Sequence, residues 1–326
     1  MAAPIWIKES EIRLDLRETI SLLRAAMMRE AHGVAITMDK THAQWDGGNM
    51  HSIGAVFADR GLLGVKSWAH TAKGATPLEL VWDAENGKLL AIIEAFAMGQ
   101  LRTAGMAGLA TDILAAPDAD EMTIFGTGKQ ALAQVAAVNT VRPLKRLHIY
   151  GRDPAKRAQF QSRVENELKL ATMLHDNAAD AARSARIITL ITRAKEPFLD
   201  AATPERGTHL NAMGAITPER QEFDAVLLDR CSTIAVDSVS QAKALSAEII
   251  RAGDGLTLTP LSRLVAEEAH RPAGADLTLF KSLGVGIADL ALAEEILRLA
   301  RERGVGTPLP EPAPVPLSFA ACEDRL

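Results

Sequence analysis

The stretch FGTGKQA, residues 125–131, carries two glycines and a lysine directly after the short apolar run EMTI. Such a loop is typical of a phosphate site, and its spacing indicates which phosphate it binds. A Walker A loop for nucleoside triphosphates requires G-x-x-x-x-G-K-[ST]. Thr123 occupies the first glycine position of that pattern, and Gln130 stands where a serine or threonine should follow Lys129. The pattern fails at both ends, which argues against a triphosphate loop.

A dinucleotide-binding loop instead requires a strand, then G-x-G-x-x-G/A, then a helix. Gly126, Gly128 and Ala131 fill those three positions, between the predicted strand EMTIF and the predicted helix ALAQVAAVNTV. Further apolar segments alternate with helical ones downstream, namely RLHIY, RIITLIT, GTHLNAM and STIAVD. This alternation predicts an α/β fold with a Rossmann-type, doubly wound parallel sheet.

The loop after the second predicted strand, RLHIY, bears on the choice of dinucleotide. NAD-binding loops place an acid there, about 20 residues after the glycines. Here Asp153 and Pro154 have the pattern of a helix N-cap and first helical residue, which leaves Arg152 at the discriminating position. Arg152, with Lys156 and Arg157 one turn away, suits a 2′-phosphate. The predicted cofactor is NADP(H) or NAD(H), with NADPH preferred.

The N-terminal part of the chain has a different periodicity. Residues 33–100 contain short apolar runs separated by glycine, asparagine and aspartate, which predicts an antiparallel sheet. Within it, Asn86-Gly87 has the signature of a two-residue hairpin turn. Amphipathic or alanine-rich patterns predict helices over residues 9–32, 102–115 and 289–304.

Four cations of this first region lie near predicted strand ends or at a helix start: Lys40, Lys66, Lys73 and Arg102. Lys66 interrupts the apolar strand LLGVKSWA, where a lysine needs a partner. Arginine binds carboxylate with two hydrogen bonds and lysine adds a point charge. Each residue alone could be a surface cation, but as a set beside a nicotinamide site they predict a carboxylate-bearing substrate.

Bulk composition narrows the class of protein. The chain has 326 residues, enough for two domains, and a net charge of −5, so neither nucleic acid nor a membrane surface is expected as a partner. Its two cysteines, Cys231 and Cys322, lack metal-ligand spacing and are expected to be free thiols in a reducing compartment, without a metal site. The N-terminus lacks the apolar run of a signal peptide, so a cytoplasmic location is expected.

Several motifs together resemble the ornithine cyclodeaminase/mu-crystallin family over most of the chain. They are GVKSW, EAFAMGQLRTAGMAGLAT, IFGTGKQALAQ, THLNAMGAITPERQEFD, VDS and FKSLGVGIADLALA. The resemblance implies a substrate-binding and dimerisation domain of the α+β class, split over residues 1–118 and 282–326. It also implies a Rossmann domain over residues 119–281, and a homodimer joined through the substrate domains.

The same resemblance implies roles for individual residues. Lys66 and Arg102 match the substrate-carboxylate ligands of the family, and Lys66 is the first candidate for the catalytic proton donor. The pyrophosphate loop would be Gly126, Thr127, Gly128, Lys129 and Gln130. The rest of the cofactor would be lined by Thr192, Asn211, Met213, Ser282 and Gly284.

Two departures from the family pattern indicate the reaction. Where the cyclodeaminases carry an aspartate that serves the amine chemistry, this chain has Ile216, which cannot take a proton. Lys40 replaces an arginine common in the first domain but keeps its charge, so Lys40 remains a candidate substrate ligand. Thr217 or His42 could hold a water as a second proton source.

The resemblance therefore implies an NAD(P)H-dependent reductase that converts a 2-imino acid to an L-amino acid. A cyclic ketimine, such as pyrroline-2-carboxylate or piperideine-2-carboxylate, and iminosuccinate rank close together as the substrate. Reductive amination of the alanine dehydrogenase type ranks third and ornithine cyclodeamination fourth. A cofactor-retaining ligand-binding protein of the mu-crystallin kind is the alternative that is not an enzyme.

Overall fold

A computed structural model describes residues 3–317, so Cys322 lies outside the described part. These described residues form two β-sheets, one of nine strands and one of eight. Within the described residues, no helix combines the length and apolar character that crossing a bilayer requires.

The first sheet and its helices come mainly from the N-terminal third. Their bounds are β1 Ile5–Ile7, α1 Leu16–Ala31, β2 Ala35–Thr37, β3 Thr41–Trp45, β4 Gly48–Phe57, β5 Leu62–Thr71, β6 Gly74–Ala75, β7 Leu78–Asp83, β8 Leu89–Glu94 and α2 Phe96–Leu114. A short 3-10 turn, Ala58–Arg60, links β4 to β5.

The second sheet and its helices follow along the chain. Their bounds are β9 Glu121–Phe125, α3 Ala131–Val141, β10 Arg146–Tyr150, α4 Pro154–Leu168, β11 Ala171–Leu174, α5 Ala178–Arg183, β12 Ile187–Leu190, β13 His209–Ala212, β14 Cys231–Val236, α6 Val239–Leu245, α7 Ala247–Ala252, β15 Leu258–Pro260, α8 Leu261–Ala266 and β16 Leu277–Lys281. A 3-10 turn, Ala225–Arg230, precedes β14. The chain then returns to the first sheet with α9, Gly286–Arg303, and β17, Thr307–Pro308.

The second sheet confirms the predicted fold class. All its strands pair in parallel, in the order β11-β10-β9-β12-β13-β16-β14-β15. The chain moves outward from β9 to β11 and then crosses back to β12 on the other side of β9. Ligands of open α/β sheets bind at such a reversal, beyond the carboxyl ends of the strands. The FGTGKQA loop lies at this point, between β9 and α3.

The first sheet is mostly antiparallel, as predicted, with the path β17-β1-β8-β7-β5-β4-β2. Helix α9 packs against its β4, β5 and β7 strands. Its inward residues, including Ile287, Leu290 and Ala291, belong to the same apolar core as α1 and α2. The C-terminal helix thus completes the domain that the N-terminal strands begin; the division at residues 118/119 and 281/282 stays a prediction.

Three local predictions need correction. Helix α1 begins at Leu16 and not at residue 9, because Asp15 caps it by accepting a hydrogen bond from Glu18 N at 2.7 Å. Asn86-Gly87 lies in a longer connection between β7 and β8, closed by a hydrogen bond from Gly87 N to Asp83 O. The two-residue turn was therefore wrong, although the hairpin forms.

Helix α2 begins at Phe96, six residues before the predicted start at residue 102. Its first turn is capped by the Glu9 carboxylate, which accepts hydrogen bonds from Ala97 N and Met98 N. Glu9 lies far away in the sequence, so local pattern could not show this start.

Candidate active site

A cleft of about 1280 Å³ opens between the two sheets and contains most of the predicted site residues. Among residues 3–317, nine lysines and arginines line the cleft but only two acids, Asp153 and Glu196. The cleft is therefore cationic although the whole chain is acidic, which favours anionic ligands.

The glycine loop forms one end of the cleft. Gly126 has φ +110°, and a Cβ there would lie 2.6 Å from the carbonyl oxygen of Ile191, so only glycine fits between β9 and β12. Gly126 N donates to Tyr150 O at 2.9 Å, which holds the loop against the end of β10. Thr127, Gly128, Lys129 and Gln130 also line the cleft, just before the N-terminus of α3.

The glycine loop contains backbone N–H groups that are available to a ligand. Within residues 3–317, no acceptor is present for the backbone N–H groups of residues 127–130, and the buried Gln130 Oε1 is also without a partner. Free N–H groups at a helix N-terminus form an anion site. These residues fit the pyrophosphate of a nicotinamide dinucleotide.

The second-strand loop carries the cations that would meet the adenosine ribose. Arg152 and Lys156 line the cleft, and Asp153 caps α4 through hydrogen bonds to Ala155 N and Lys156 N, as predicted. Arg157 differs from the prediction. Its guanidinium is buried and donates to Asp176 Oδ1 at 2.7 Å and to the His175 carbonyl, so it is already occupied.

At the other end of the cleft, Lys66 and Arg102 converge on one carboxylate. Asp289 Oδ1 accepts hydrogen bonds from Lys66 Nζ and, at 3.0 Å, from Arg102 Nε. Strand β5, helix α2 and helix α9 each supply one of the three residues. Burial and the neighbouring Arg102 charge lower the pKa of Lys66, while Asp289 opposes that shift. Asp289 thus fixes both cations while leaving them on the cleft wall.

A second carboxyl group, Glu79 of β7, faces the same cluster. Glu79 and Lys66 are direct partners in the antiparallel register of β7 and β5, so their side chains share one face of the sheet. Glu79 is 1% exposed. Burial, together with the Asp289 charge, raises the pKa of Glu79 well above its usual range.

Lys40 lies on the cleft wall beside these groups. Burial and then the nearby Arg102 charge lower the pKa of Lys40 to about 8. Trp68 also faces the cleft, and its ring centroid lies 5.3 Å from Lys66 Nζ. The tryptophan gives this end of the cleft an aromatic wall against which an apolar substrate body can pack.

Four further predicted residues line the middle of the cleft: Thr192, Met213, Ser282 and Gly284. Buried carboxylates accept hydrogen bonds from three of them, Thr192, Ser282 and Gly284. Glu222 Oε1 accepts from Thr192 N at 2.6 Å and from Thr192 Oγ1 at 2.8 Å. Asp237 accepts from Ser282 Oγ at 2.7 Å and from Gly284 N at 2.8 Å. Ile216, which the sequence resemblance aligns with the cyclodeaminase aspartate, lies on the same wall.

Lys73, one of the four cations predicted to bind the substrate, is exposed in the turn between β5 and β6 and does not line the cleft, so that prediction was wrong. Three further predicted residues are also not on the cleft wall. Asn211 is fully buried, and its amide donates to Thr111 Oγ1 at 2.8 Å, so it ties β13 to α2. His42 is exposed on β3, where its ring stacks on His51 with centroids 5.8 Å apart. Thr217 lies beyond Ile216, where its side chain contacts Glu219. Their sequence positions were close to the motifs, but the strands and loops turn them away.

Sequence reasoning missed the acids that hold the site. Asp289 occurs in the motif GIADLALA and Asp237 in VDS, but neither aspartate was predicted to be a site residue. Glu79 could have been noticed as a charged residue inside the apolar run LELVWD, just as Lys66 was noticed in its own strand. Among residues 3–317, no cluster of three or more histidine, cysteine, aspartate or glutamate residues could hold a metal ion.

Comparison with known proteins finds one family. A model of the ornithine cyclodeaminase/mu-crystallin family matches residues 7–304. A Delta(1)-pyrroline-2-carboxylate reductase of Bacillus cereus is 29% identical over 231 residues, covering 69% of this chain and 71% of that protein. The ketimine reductase mu-crystallin of Mus musculus is 27% identical over 319 residues, covering 90% and 96%.

Among solved structures, one similar fold is that of the Delta(1)-pyrroline-2-carboxylate reductase of Thermococcus litoralis, in complex with NADH and L-proline. The two folds superimpose with a TM-score of 0.88 at 26% identity, over 94% of this chain and 100% of the other.

Proposed function

Because the chain belongs to the ornithine cyclodeaminase/mu-crystallin family, we propose that it is an NAD(P)H-dependent reductase that converts a 2-imino acid to an L-amino acid. The observation that carries the proposal is the convergence of Lys66 and Arg102 on Asp289, in the cleft that also contains the free N–H groups of the glycine loop.

Each end of the cleft has a separate task in this proposal. The substrate carboxylate binds to Arg102 and Lys66, and Asp289 holds these two cations in place. The glycine loop and α3 bind the pyrophosphate of the dinucleotide, which supplies the hydride when bound. Orientation of two reactants in one site contributes a large share of the rate, because it removes the entropic cost of their encounter. Lys66 provides the proton for the imine nitrogen.

A cyclic ketimine with one carboxylate is the first substrate candidate. The relatives described above are named pyrroline-2-carboxylate and ketimine reductases. Trp68 on the cleft wall suits the apolar ring of such a substrate. Iminosuccinate is the second candidate, because Lys40 and Arg220 on the same wall could bind a second carboxylate. Ile216 disfavours ornithine cyclodeamination, since it cannot exchange a proton with an amine.

NADPH is the proposed preferred cofactor, because Arg152 and Lys156 line the cleft after β10 with no acid at the ribose-binding position of that loop.

A homodimer is proposed through the first sheet. Four large apolar residues there, on β2, β3 and β4 or the loop after β2, are 41–59% exposed: Ile36, Met38, Trp45 and Met50. Solvent-exposed apolar groups clustered on one sheet are typical of an interface.

One screen tests the proposed function. The purified protein is incubated with NADH or NADPH and, separately, with pyrroline-2-carboxylate, piperideine-2-carboxylate, oxaloacetate plus ammonia, or pyruvate plus ammonia. We expect cofactor oxidation and an L-amino acid product with one of the first three mixtures. A further incubation contains ornithine and oxidised cofactor, and ammonia release there, with no imine reduced in the other mixtures, would reassign the protein as a cyclodeaminase. Cofactor binding without any turnover would make it a ligand-binding protein.

A further inference from the structure

Glu79 is an acid at a position where the strand requires an apolar residue. Strand β7 alternates between its two faces, and Glu79 shares the buried face with Val81. Its Oε2 atom has no hydrogen-bond partner among the described residues. An ionised carboxylate in this position would be costly, because burial removes its water and none of residues 3–317 donates a hydrogen bond to Oε2.

The fold makes room for this carboxyl group. Gly64 of β5 lies on the same face, two residues before Lys66, and a Cβ at Gly64 would come within 2.7 Å of Glu79 Oε1. The missing side chain lets the carboxyl group lie over β5 beside Lys66. Charged groups face Glu79 from three elements: Lys66 from β5, Arg102 from α2 and Asp289 from α9. Its partner on β8 is the uncharged Ile93.

The charges of this cluster depend on the Glu79 proton. Lys66, Arg102 and Asp289 together carry +1 when Lys66 is protonated. If Glu79 were ionised, the four groups would sum to zero and attract a substrate carboxylate only weakly. With Glu79 neutral, the cluster keeps its net positive charge and holds two exchangeable protons, one on Lys66 and one on Glu79.

We propose that Glu79 is the proton reserve of the site, a neutral carboxylic acid that reprotonates Lys66 after Lys66 has given its proton to the imine nitrogen. The inference rests on the proposed function. Glu79 does not touch the substrate. It acts through Lys66 by restoring the proton of that amine, and is therefore a positioning residue.

The step balances without a further reactant. The imine carbon gains a hydride and the imine nitrogen gains the Lys66 proton, so the C=N double bond becomes a C–N single bond. While Lys66 donates to Asp289 it is not in hydrogen-bond contact with Glu79. Once Lys66 is neutral its bond to Asp289 weakens, so the amine can turn to Glu79 and take its proton, which leaves a carboxylate on Glu79 and restores the Lys66 ammonium. Water reprotonates Glu79 once the product has left, and the cluster returns to its starting charge.

Glu79→Gln tests this reserve, because glutamine has the same size and no charge but cannot release the proton. We expect kcat to fall about tenfold while KM changes little. The loss in kcat should grow as the pH rises, because free imine must then be protonated in the site. The solvent deuterium isotope effect on kcat should increase. Glu79→Asp, which keeps the acid, should recover part of the activity, and Glu85→Gln, in the exposed turn after β7, is the matched control.

A measurement on the protein without cofactor or substrate reads the proton directly. Infrared spectroscopy of wild type at neutral pH should show a protonated carboxyl band that is absent in Glu79→Gln and displaced in Glu79→Asp. If Glu79→Gln folds poorly, the displaced carboxyl band and the kinetics of Glu79→Asp are used instead to test the proposal.

Two results would overturn the proposal: a Glu79→Gln enzyme with wild-type pH profile and isotope effect, whatever its stability, or an infrared spectrum without the Glu79 acid band. Absence of imine reduction by wild type, with the acid band present, would instead refute the proposed function alone.

Discussion

At the scale of single residues, Lys66 and Arg102 are the two cations on which the proposed substrate site depends. Lys66→Ala and Arg102→Ala should each lower kcat/KM for the imine by several hundredfold, about 4 kcal/mol, because each removes a charge-assisted contact to the substrate carboxylate. Steady-state kinetics with the imine found by the screen measures this loss. Lys73→Ala is the control, since Lys73 is exposed and away from the cleft wall. A loss of tenfold or less in both variants would remove these residues from the site.

Arg152 is the residue that should decide between the two dinucleotides. Arg152→Ala should raise the KM for NADPH about tenfold and leave the KM for NADH nearly unchanged, because only NADPH presents a 2′-phosphate to the guanidinium. The two Michaelis constants, measured side by side, check this. Arg163→Ala, on the exposed face of α4 where Arg163 pairs with Glu167 at 2.9 Å, removes the same charge elsewhere. Equal changes for both cofactors would contradict the NADPH assignment.

At the scale of elements, the start of α4 is held by one side chain. Asp153 accepts hydrogen bonds from Ala155 N at 3.0 Å and Lys156 N at 3.2 Å, and Pro154 occupies the first helical turn. Asp153→Ala should lower the free energy of unfolding by about 1 kcal/mol, because the two N–H groups lose their acceptor. Urea denaturation measures it, with Gln159→Ala on the exposed face of the same helix as control. Equal stability of the two variants would show that water replaces the cap.

The pairing of β13 with β16 contains a histidine that should make stability depend on pH. His209 is fully buried, with Nδ1 3.1 Å from Thr278 Oγ1, and burial lowers its pKa from 6.5 to about 3. Below pH 6.5 the unfolded chain binds a proton here that the folded protein binds only near pH 3, so acid should destabilise the fold.

His209→Gln should reduce this dependence. The midpoint of thermal unfolding, Tm, is measured for both proteins from about pH 7 down to about pH 4. The Tm advantage of wild type should shrink as the pH falls, whereas His270→Gln, at an exposed position, should leave the slope unchanged. A constant Tm difference between wild type and His209→Gln would show that His209 does not contribute to acid sensitivity.

At the scale of the whole molecule, the exposed apolar surface of the first sheet indicates how copies of the chain would associate. Ile36 and Met50 are 59% and 50% exposed. The double change Ile36→Asp and Met50→Asp should convert the proposed dimer to a monomer, because burying two carboxylates in an apolar interface is unfavourable. Analytical ultracentrifugation measures the mass. Val226→Asp, at a 58% exposed residue in the turn before β14, is the control. A wild-type monomer would contradict the proposal.

Local pattern predicted the parts of the fold that depend on neighbours in the sequence. The strand EMTIF, the helix from Ala131 to Val141 and the cap at Asp153 all lie where the sequence places them. Periodicity and capping act over a few residues, so a single sequence contains them. The start of α2 was wrong because its cap, Glu9, comes from a distant part of the chain.

The sequence by itself determined the cofactor class, through the spacing of Gly126, Gly128 and Ala131, and it singled out Lys66 as a lysine in an apolar strand. Only the tertiary structure decided what those residues can do. Asp289 meets Lys66 across 223 residues of sequence, and Glu79 joins them through strand register. Charge state depends on burial and on neighbours in space, and neither is encoded within a few residues of the group that titrates.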